Sequence, residues 1–307
     1  MLWKTIKSIT YYKSHKTKNT ELLNTTMSPT DSVEHVNRFF ANVGKKLAEE
    51  TLSNPNYQDT DPQEVHNIIM GLKADSAPGW DTIPTSFLKH ACPVVAPLIS
   101  HLANLCFEKG VFPAPLKQSI TTPVHKSGEK DDVNNYRPIT VLTAISKIIE
   151  KTINNRLISY LNKYNILSDN QFGFRQSRST EDAVISLTST ITENLDKNKK
   201  CLPIFLDLKK AFDTVSLSTL IQKMERAGIR GIPLKLLSDY LRGRTQKVKI
   251  GDFISSELDI TYGVPQGSVL GPTLFLLYIN DLTNLKILRG RVCSYADDTA
   301  IVFHGES

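Results

Sequence analysis

The sequence predicts a mixed α/β (α+β) fold, and three observations carry that prediction. From Cys201 onwards, strand-type apolar runs alternate with helical periodicity. The order is a strand over 201–207, helices over 216–227 and 232–242, strands around 245–262, a helix over 267–282 and a closing hairpin. Upstream, Ile145, Ile149, Ile153, Leu157 and Leu161 recur at every fourth residue, which marks one face of a long helix. Just before it, Ser119–His125 and "YRPITVL" (136–142) read as strands joined by the polar turn "KSGEKDD" (126–132).

The elements follow in order from the N-terminus. Residues 1–30 carry Lys4, Lys7, Lys13, Lys16 and Lys18 and no acid before Glu21. They lack the apolar core of a signal peptide and the arginines of a transit peptide, so they read as a flexible basic arm. Residues 31–115 read as a helical N-terminal extension. In it Val36, Phe40, Val43 and Leu47 share a helix face, and Asp61-Pro62 is an N-cap and first-position pair opening a helix with Val65, Ile68, Ile69 and Leu72. "SAPGWDTIP" (76–84) is a loop by its prolines and glycine, and Val95, Leu98, Ile99, Leu102 and Leu105 mark a helix that stops at Gly110. One more helix covers roughly 179–196.

The 307 residues, 40% hydrophobic and 22% charged, can bury a large core and suit a globular chain of more than one domain. A net charge of +6 and a pI near 9.0 favour a polyanionic partner. No membrane partner is expected, because the longest apolar run, 274–279, stops at Asn280-Asp281 and falls far short of the roughly 18 residues of a span. The four cysteines form no C-x-x-C pair and suggest reduced thiols; His90, Cys92, His101 and Cys106 match no zinc spacing.

Three stretches carry the chemistry. "YADDTAIVF" (295–303) sets Asp297 and Asp298 between two β-type flanks, where the acid pair has to lie at a tight turn. Such turns favour Asn-Gly or Asp-Gly, and adjacent carboxylates repel, so the ordinary reading is a solvated acidic turn. "CLPIFLDLKKAFDTV" (201–215) ends a buried strand in Asp207, where α/β sheets build sites; the ordinary alternative is an Asp opening a loop. In "YGVPQGSVLGPTLFLLYINDL" (262–282), Gly263, Pro265, Gly267, Gly271 and Pro272 impose a bend, and glycine lets a backbone or a base approach closely. Asp207 and Asp297 stand 90 residues apart, so only the fold can join them. Three converging carboxylates need divalent metal, and oxygen-only ligands suit Mg²⁺ held together with substrate phosphates.

In combination, "APGWD", "PVHKSGEKDDVNNYRPITVL", "QFGFRQSRSTEDAV", "FLDLKKAFDTV", "GVPQGSVLGPTLFLLYINDL" and "YADD" resemble the reverse transcriptases of non-LTR (LINE-type) retrotransposons, the jockey group most of all. The resemblance runs from "SAPGWDTIP" to the last residue. It implies a polymerase palm with interleaved fingers in a domain over 116–307, fingers about 116–195 and palm about 196–307, after the helical segment. It implies RNA-directed DNA synthesis with an RNA template, a DNA primer and dNTPs, inside the cell, in cytoplasm and nucleus. Two Mg²⁺ ions, or Mn²⁺ in their place, would be held by Asp207, Asp297, Asp298 and the carbonyl of Leu208. Lys126 and Arg137 match residues that hold the incoming triphosphate, a point charge and a guanidinium on the two sides of a hairpin. Gln266 and Gly267 match the loop under the templating base and nucleotide, and Phe212 matches the position that screens the sugar 2′ carbon. Phe172, Phe174, Arg175 and Arg178 form an aromatic and basic mix suited to a template strand, with Tyr295 on the template and primer side.

One departure is that the chain stops nine residues after Asp298, where family members continue into a thumb. The expectation is therefore a C-terminally incomplete palm, with thumb and endonuclease missing. The rival readings are a catalytically silent RNA-binding remnant, and a related RNA-templated or intron-type polymerase. "GVPQGSVLGP" and the bulk of Phe212 argue against an RNA product.

Overall fold

The computed structural model describes residues 58–285 and 290–306, with Ser28 and Asp31. The basic arm and the helix through Val36 and Leu47 lie outside the described residues. The chain divides into two units, Met1–Ser53 and Asn54–Ser307. In the first, the Ser28 hydroxyl donates to the Asp31 carboxylate at 2.6 Å; the rest concerns the second.

Local chemistry sets the helix ends. Helix α1 (Pro62–Gly71) opens at Asp61, whose side chain accepts from the Glu64 N–H, with Pro62 at the first position. Helix α2 (Thr85–His90) was not anticipated, because six residues are too few to display a period. Helix α3 (Cys92–Lys109) ends at Gly110, whose φ of 63° is left-handed. Thr143 caps helix α4 (Ala144–Lys163), and a reciprocal box of Ser179 and Asp182 opens helix α5 (Thr180–Leu195). Helices α6 (Leu217–Arg226), α7 (Gly231–Leu241) and α8 (Gly271–Thr283) follow.

The strands form two sheets. In the first, β1 (Gln118–His125) pairs antiparallel with β2 (Tyr136–Val141), so that Val124 faces Arg137, and parallel with β4 (Arg244–Ile250). Short strands β5 (Phe253–Ile254) and β6 (Leu258–Ile260) pair with β4. The second sheet is antiparallel, in the order β3 (Lys200–Leu206), β8 (Asp298–Gly305), β7 (Gly290–Tyr295). The core joins helices to one another, with Ile148, Leu157, Leu220, Leu236, Tyr240 and Leu274 fully buried in one cluster.

Two expectations change. Strand β3 was expected to be buried, but among the described residues it is an edge strand paired with β8 alone, leaving Leu202 62% and Phe205 71% exposed. An edge also tolerates Pro203, which cannot donate to a ladder. The helix expected from 267 begins at Gly271, because Gly267 sits at a φ of +77° and keeps the preceding segment out of helix. The sheets do not follow the order of the chain: β4, from inside 196–307, returns to pair with β1, and β5 and β6 pair with β4.

Candidate active site

The β7–β8 pairing ends with Tyr295 opposite Asp298, so the connection is Ala296–Asp297. The acid pair is therefore split, Asp297 standing in the turn and Asp298 opening β8. The left-handed φ that a two-residue hairpin needs falls on Ala296, at +56°, and not on either aspartate. On the other side of β8, Leu206 pairs with Thr299. One further step in that register brings Asp207 level with Asp298, so the three acids gather at one end of the second sheet.

Asp207 and Asp297 line a cleft of about 670 Å³ together with Lys126, Arg137, Leu208, Phe212, Gln266, Gly267 and Phe174. Of these residues Arg137 lies in β2, and the others come from five connecting segments: the β1–β2 turn, the loop before α5, the loop after β3, the loop before α8 and the β7–β8 turn. Asp298 opens on an adjoining pocket of about 290 Å³, shared with Asp207 and Tyr295. Among the described residues no hydrogen bond or ion pair engages the three carboxylates. No three His, Cys, Asp or Glu side chains among them close into a metal-holding group by themselves.

The cleft walls have their own logic. Lys126 and Arg137 flank the β1–β2 turn, which the Lys126 N–H closes onto the Asn135 carbonyl at 2.8 Å. A Cβ on Gly267 would lie 2.6 Å from the Thr140 carbonyl oxygen, so the loop lies against β2 only with glycine there. Phe212 stacks on Phe275 of α8 at 4.4 Å between centroids and meets Phe174 edge-on at 6.0 Å. Phe172, Arg175 and Arg178 do not line the cleft. Arg178 reaches the Asp169 carboxylate at 2.6 Å and the Asp169 and Gln171 carbonyls, and lies over the Phe172 ring. Arg175 donates to the Ser168 carbonyl at 3.0 Å, and burial, with Arg178 beside it, pulls its pKa down. Both arginines thus brace their own loop.

A family profile described as "Reverse transcriptase (RNA-dependent DNA polymerase)" matches residues 124–307. The chain belongs to the reverse transcriptase family. It is 34% identical over 248 residues to the probable RNA-directed DNA polymerase from transposon X-element of Drosophila melanogaster, covering 79% of this chain and 27% of that protein. It is 30% identical over 252 residues to the RNA-directed DNA polymerase from mobile element jockey of the same species, covering 80% and 27%. With the retrovirus-related Pol polyprotein from type-1 retrotransposable element R2 of Popillia japonica it shares 26% identity over 227 residues, 74% of this chain and 30% of that one. The chain thus spans about 27% of the length of the first of these relatives. The jockey-like resemblance read from the motifs holds.

Within this reverse transcriptase domain, three residues escaped the sequence reading. The first is Asp213, whose carboxylate accepts from the Gln266 side-chain amide. A carboxylate only accepts, so the nitrogen of Gln266 must face it and the carbonyl oxygen must point elsewhere. Helix α8 has no side-chain cap of its own. The Gly271 N–H donates to the Ser268 hydroxyl at 2.9 Å, and the two amides just before the helix are held by Glu150 of α4, which accepts from Val269 at 2.7 Å and Leu270 at 3.4 Å and from the Ser146 hydroxyl at 2.9 Å. Burial pushes the Glu150 carboxyl up, against the pull of Arg244 and these donors. The signal was present: a lone acid beside Ile148, Ile149 and Ile153 on a buried helix face. The third is Gln171, whose amide grips Ala296.

Proposed function

We propose that this chain is the polymerase portion of a retrotransposon RNA-directed DNA polymerase, extending a primer 3′-hydroxyl with dNTPs on an RNA template. The single observation that carries the reading is the shared cleft. Residues from 126 to 297 in the chain meet there as the acids Asp207, Asp213 and Asp297, the cations Lys126, Arg137, Lys209 and Lys210, a glutamine–glycine loop and a stacked aromatic. In this reading the sheet of β3, β8 and β7 is the palm, and the β1–β2 hairpin belongs to the fingers.

The residues fit a divalent ion. Asp207, Asp297 and Asp298 supply hard oxygen donors that no described cation neutralises, with the Leu208 carbonyl beside them. They do not close a ligand set alone, which suits Mg²⁺: it binds through few carboxylates and takes its remaining ligands from phosphates and water. Bound Mg²⁺, with Mn²⁺ as its substitute, would supply a more acidic 3′-hydroxyl and charge neutralisation at the departing pyrophosphate. The chain's own groups do the rest. Lys126 and Arg137 bind and orient the triphosphate. Gln266 and Gly267 present a flat floor to the base pair, and Phe212 faces the sugar.

The test is primer extension on poly(A) primed with oligo(dT), with dTTP and Mg²⁺. The wild-type chain extends the primer. Asp207→Asn and Asp297→Asn, each folded by circular dichroism, lose at least about a hundredfold, since even outer-shell changes around a metal cost 10–100-fold. Extension by either variant at the wild-type rate overturns the assignment. Poly(A) binding without extension by the wild type favours the silent RNA-binding reading.

A further inference from the structure

We infer that Gln171 is a positioning residue: its side-chain amide holds the turn at Ala296 and thereby sets where Asp297 stands. What Asp297 does rests on the polymerase reading above. How the turn is held rests on geometry alone.

Ala296 sits at a φ of +56°, a left-handed conformation that a residue with a Cβ adopts only when its surroundings impose it. Both polar ends of Ala296 are taken by one side chain. Its N–H donates to Gln171 Oε1 at 2.9 Å, and its carbonyl accepts from Gln171 Nε2 at 3.0 Å. Oε1 also accepts from the Gly173 N–H at 2.8 Å, and Gln171 is only 2% exposed. The grip is delivered in register. The Ser294 N–H donates to the Asn170 carbonyl and the Phe172 N–H to the Ser294 carbonyl, both at 2.8 Å. Gly173 completes the fit, since a Cβ there would lie 2.1 Å from the Ala296 nitrogen.

The chemistry singles out glutamine. A primary amide offers a donor and an acceptor from one planar group, which an α-peptide's N–H and C=O both need. Glutamate accepts but cannot donate, so it would set a carboxylate oxygen against the Ala296 carbonyl. Leucine offers neither, and asparagine is one methylene short. Glycine at 296 would adopt the turn unaided. The alanine makes the turn depend on the clamp, and the residue that follows it is Asp297.

The experiment uses the full chain with Gln171→Leu, Gln171→Glu, Ala296→Gly and the Gln171→Leu/Ala296→Gly pair. Primer extension is expressed per folded molecule, and amide hydrogen exchange is followed over residues 294–298. Gln171→Leu is expected to lower kcat by about tenfold or more, the fold-change to which such strain corresponds, with the nucleotide KM little changed. Its exchange should rise at 294–298 and stay as in wild type in β1 and β2. Ala296→Gly should recover much of that lost kcat, because the turn no longer needs imposing. An unchanged kcat per folded molecule in Gln171→Leu, or no recovery in the pair, overturns the inference and leaves Gln171 a packing residue. Should Gln171→Leu fail to fold, Gln171→Glu keeps the acceptor and deletes only the donor, and the same criteria apply. Should the wild type extend no primer, the polymerase reading fails. Exchange then decides the clamp by itself: a rise confined to 294–298 sustains it, and a uniform rise or none overturns it.

Discussion

At the scale of single residues, Phe212 does two things that the sequence offered as alternatives. It lines the cleft beside Asp207, as a residue facing a sugar must, and it stacks on Phe275 with an interplanar angle of 19°. Phe212→Val should therefore have two separable effects. Losing a stacked aromatic pair and part of its burial costs about 1–3 kcal/mol of stability, read as a lower denaturation midpoint. Opening space beside the sugar should lower the ratio of kcat/KM for dNTP over rNTP by up to about a hundredfold, because a steric clash of roughly 1–3 kcal/mol is relieved. A loss that is equal for both sugars assigns Phe212 to the core alone. The position of Phe212, five residues beyond Asp207, was legible from the chain. Its partner was not: Phe275 lies 63 residues away, and nothing local announces a contact that only the fold creates. The same holds for Gln171, whose neighbours Phe172, Arg175 and Arg178 drew attention as nucleic-acid contacts. Its own role became visible only once Ala296 was beside it.

At the scale of elements, helix ends and long periodic helices were legible because caps and spacing act locally. Asp61, Gly110 and Ser179 stand where their chemistry requires. The exposure of β3 was not legible, since an apolar run predicts a strand but not how many neighbours it will have. The docking of α1 on α4 was equally hidden, and it makes a pH prediction. Arg156 grips Glu64 with two guanidinium nitrogens, each at 3.0 Å, and reaches the Gln58 carbonyl at 2.7 Å. Burial raises the Glu64 carboxyl, but Arg156, Thr60 and Asn155 together outweigh it and hold the pKa below the ordinary glutamate value. The folded state thus binds a proton less readily than the unfolded chain. The contribution is complete above a pH of about 4.5 and disappears as pH falls through the lowered folded-state value. Arg156→Ala should cost about 2 kcal/mol at neutral pH, between the worth of an exposed pair and a fully buried one. Denaturation of wild type and variant over a pH series should converge in acid. A gap that stays constant down to the acid limit removes the ion pair from the account.

At the scale of the whole molecule, one cleft gathers Lys126 and Arg137 from the β1–β2 hairpin and Asp207 and Asp297 from the end of the sheet of β3, β8 and β7, with Lys209, Lys210 and Asp213 following Asp207 on its wall. Their sequence order gives no hint of it, because the parallel return of β4 onto β1 joins residues as far apart in the chain as Gln118 and Thr245. This polarity separates two uses of positive charge. The net charge of +6 attracts any polyanion over the surface, whereas Lys126 and Arg137 stand inside the cleft with the acids. If those two serve the triphosphate, removing them should leave the template's grip untouched. Lys126→Ala and Arg137→Ala should each raise the nucleotide KM by about tenfold or more, the worth of a charge-assisted hydrogen bond. The slope of log Kobs for single-stranded RNA against log salt should not change in either variant. A phosphate contact to a single strand contributes about 0.7 to that slope, so a residue lying on the template would lower it by that amount. A slope that falls by about 0.7 with an unaltered KM would move that residue from the nucleotide to the template strand. The triphosphate would then be left to the other of the two, with Lys209 and Lys210, which line the same cleft.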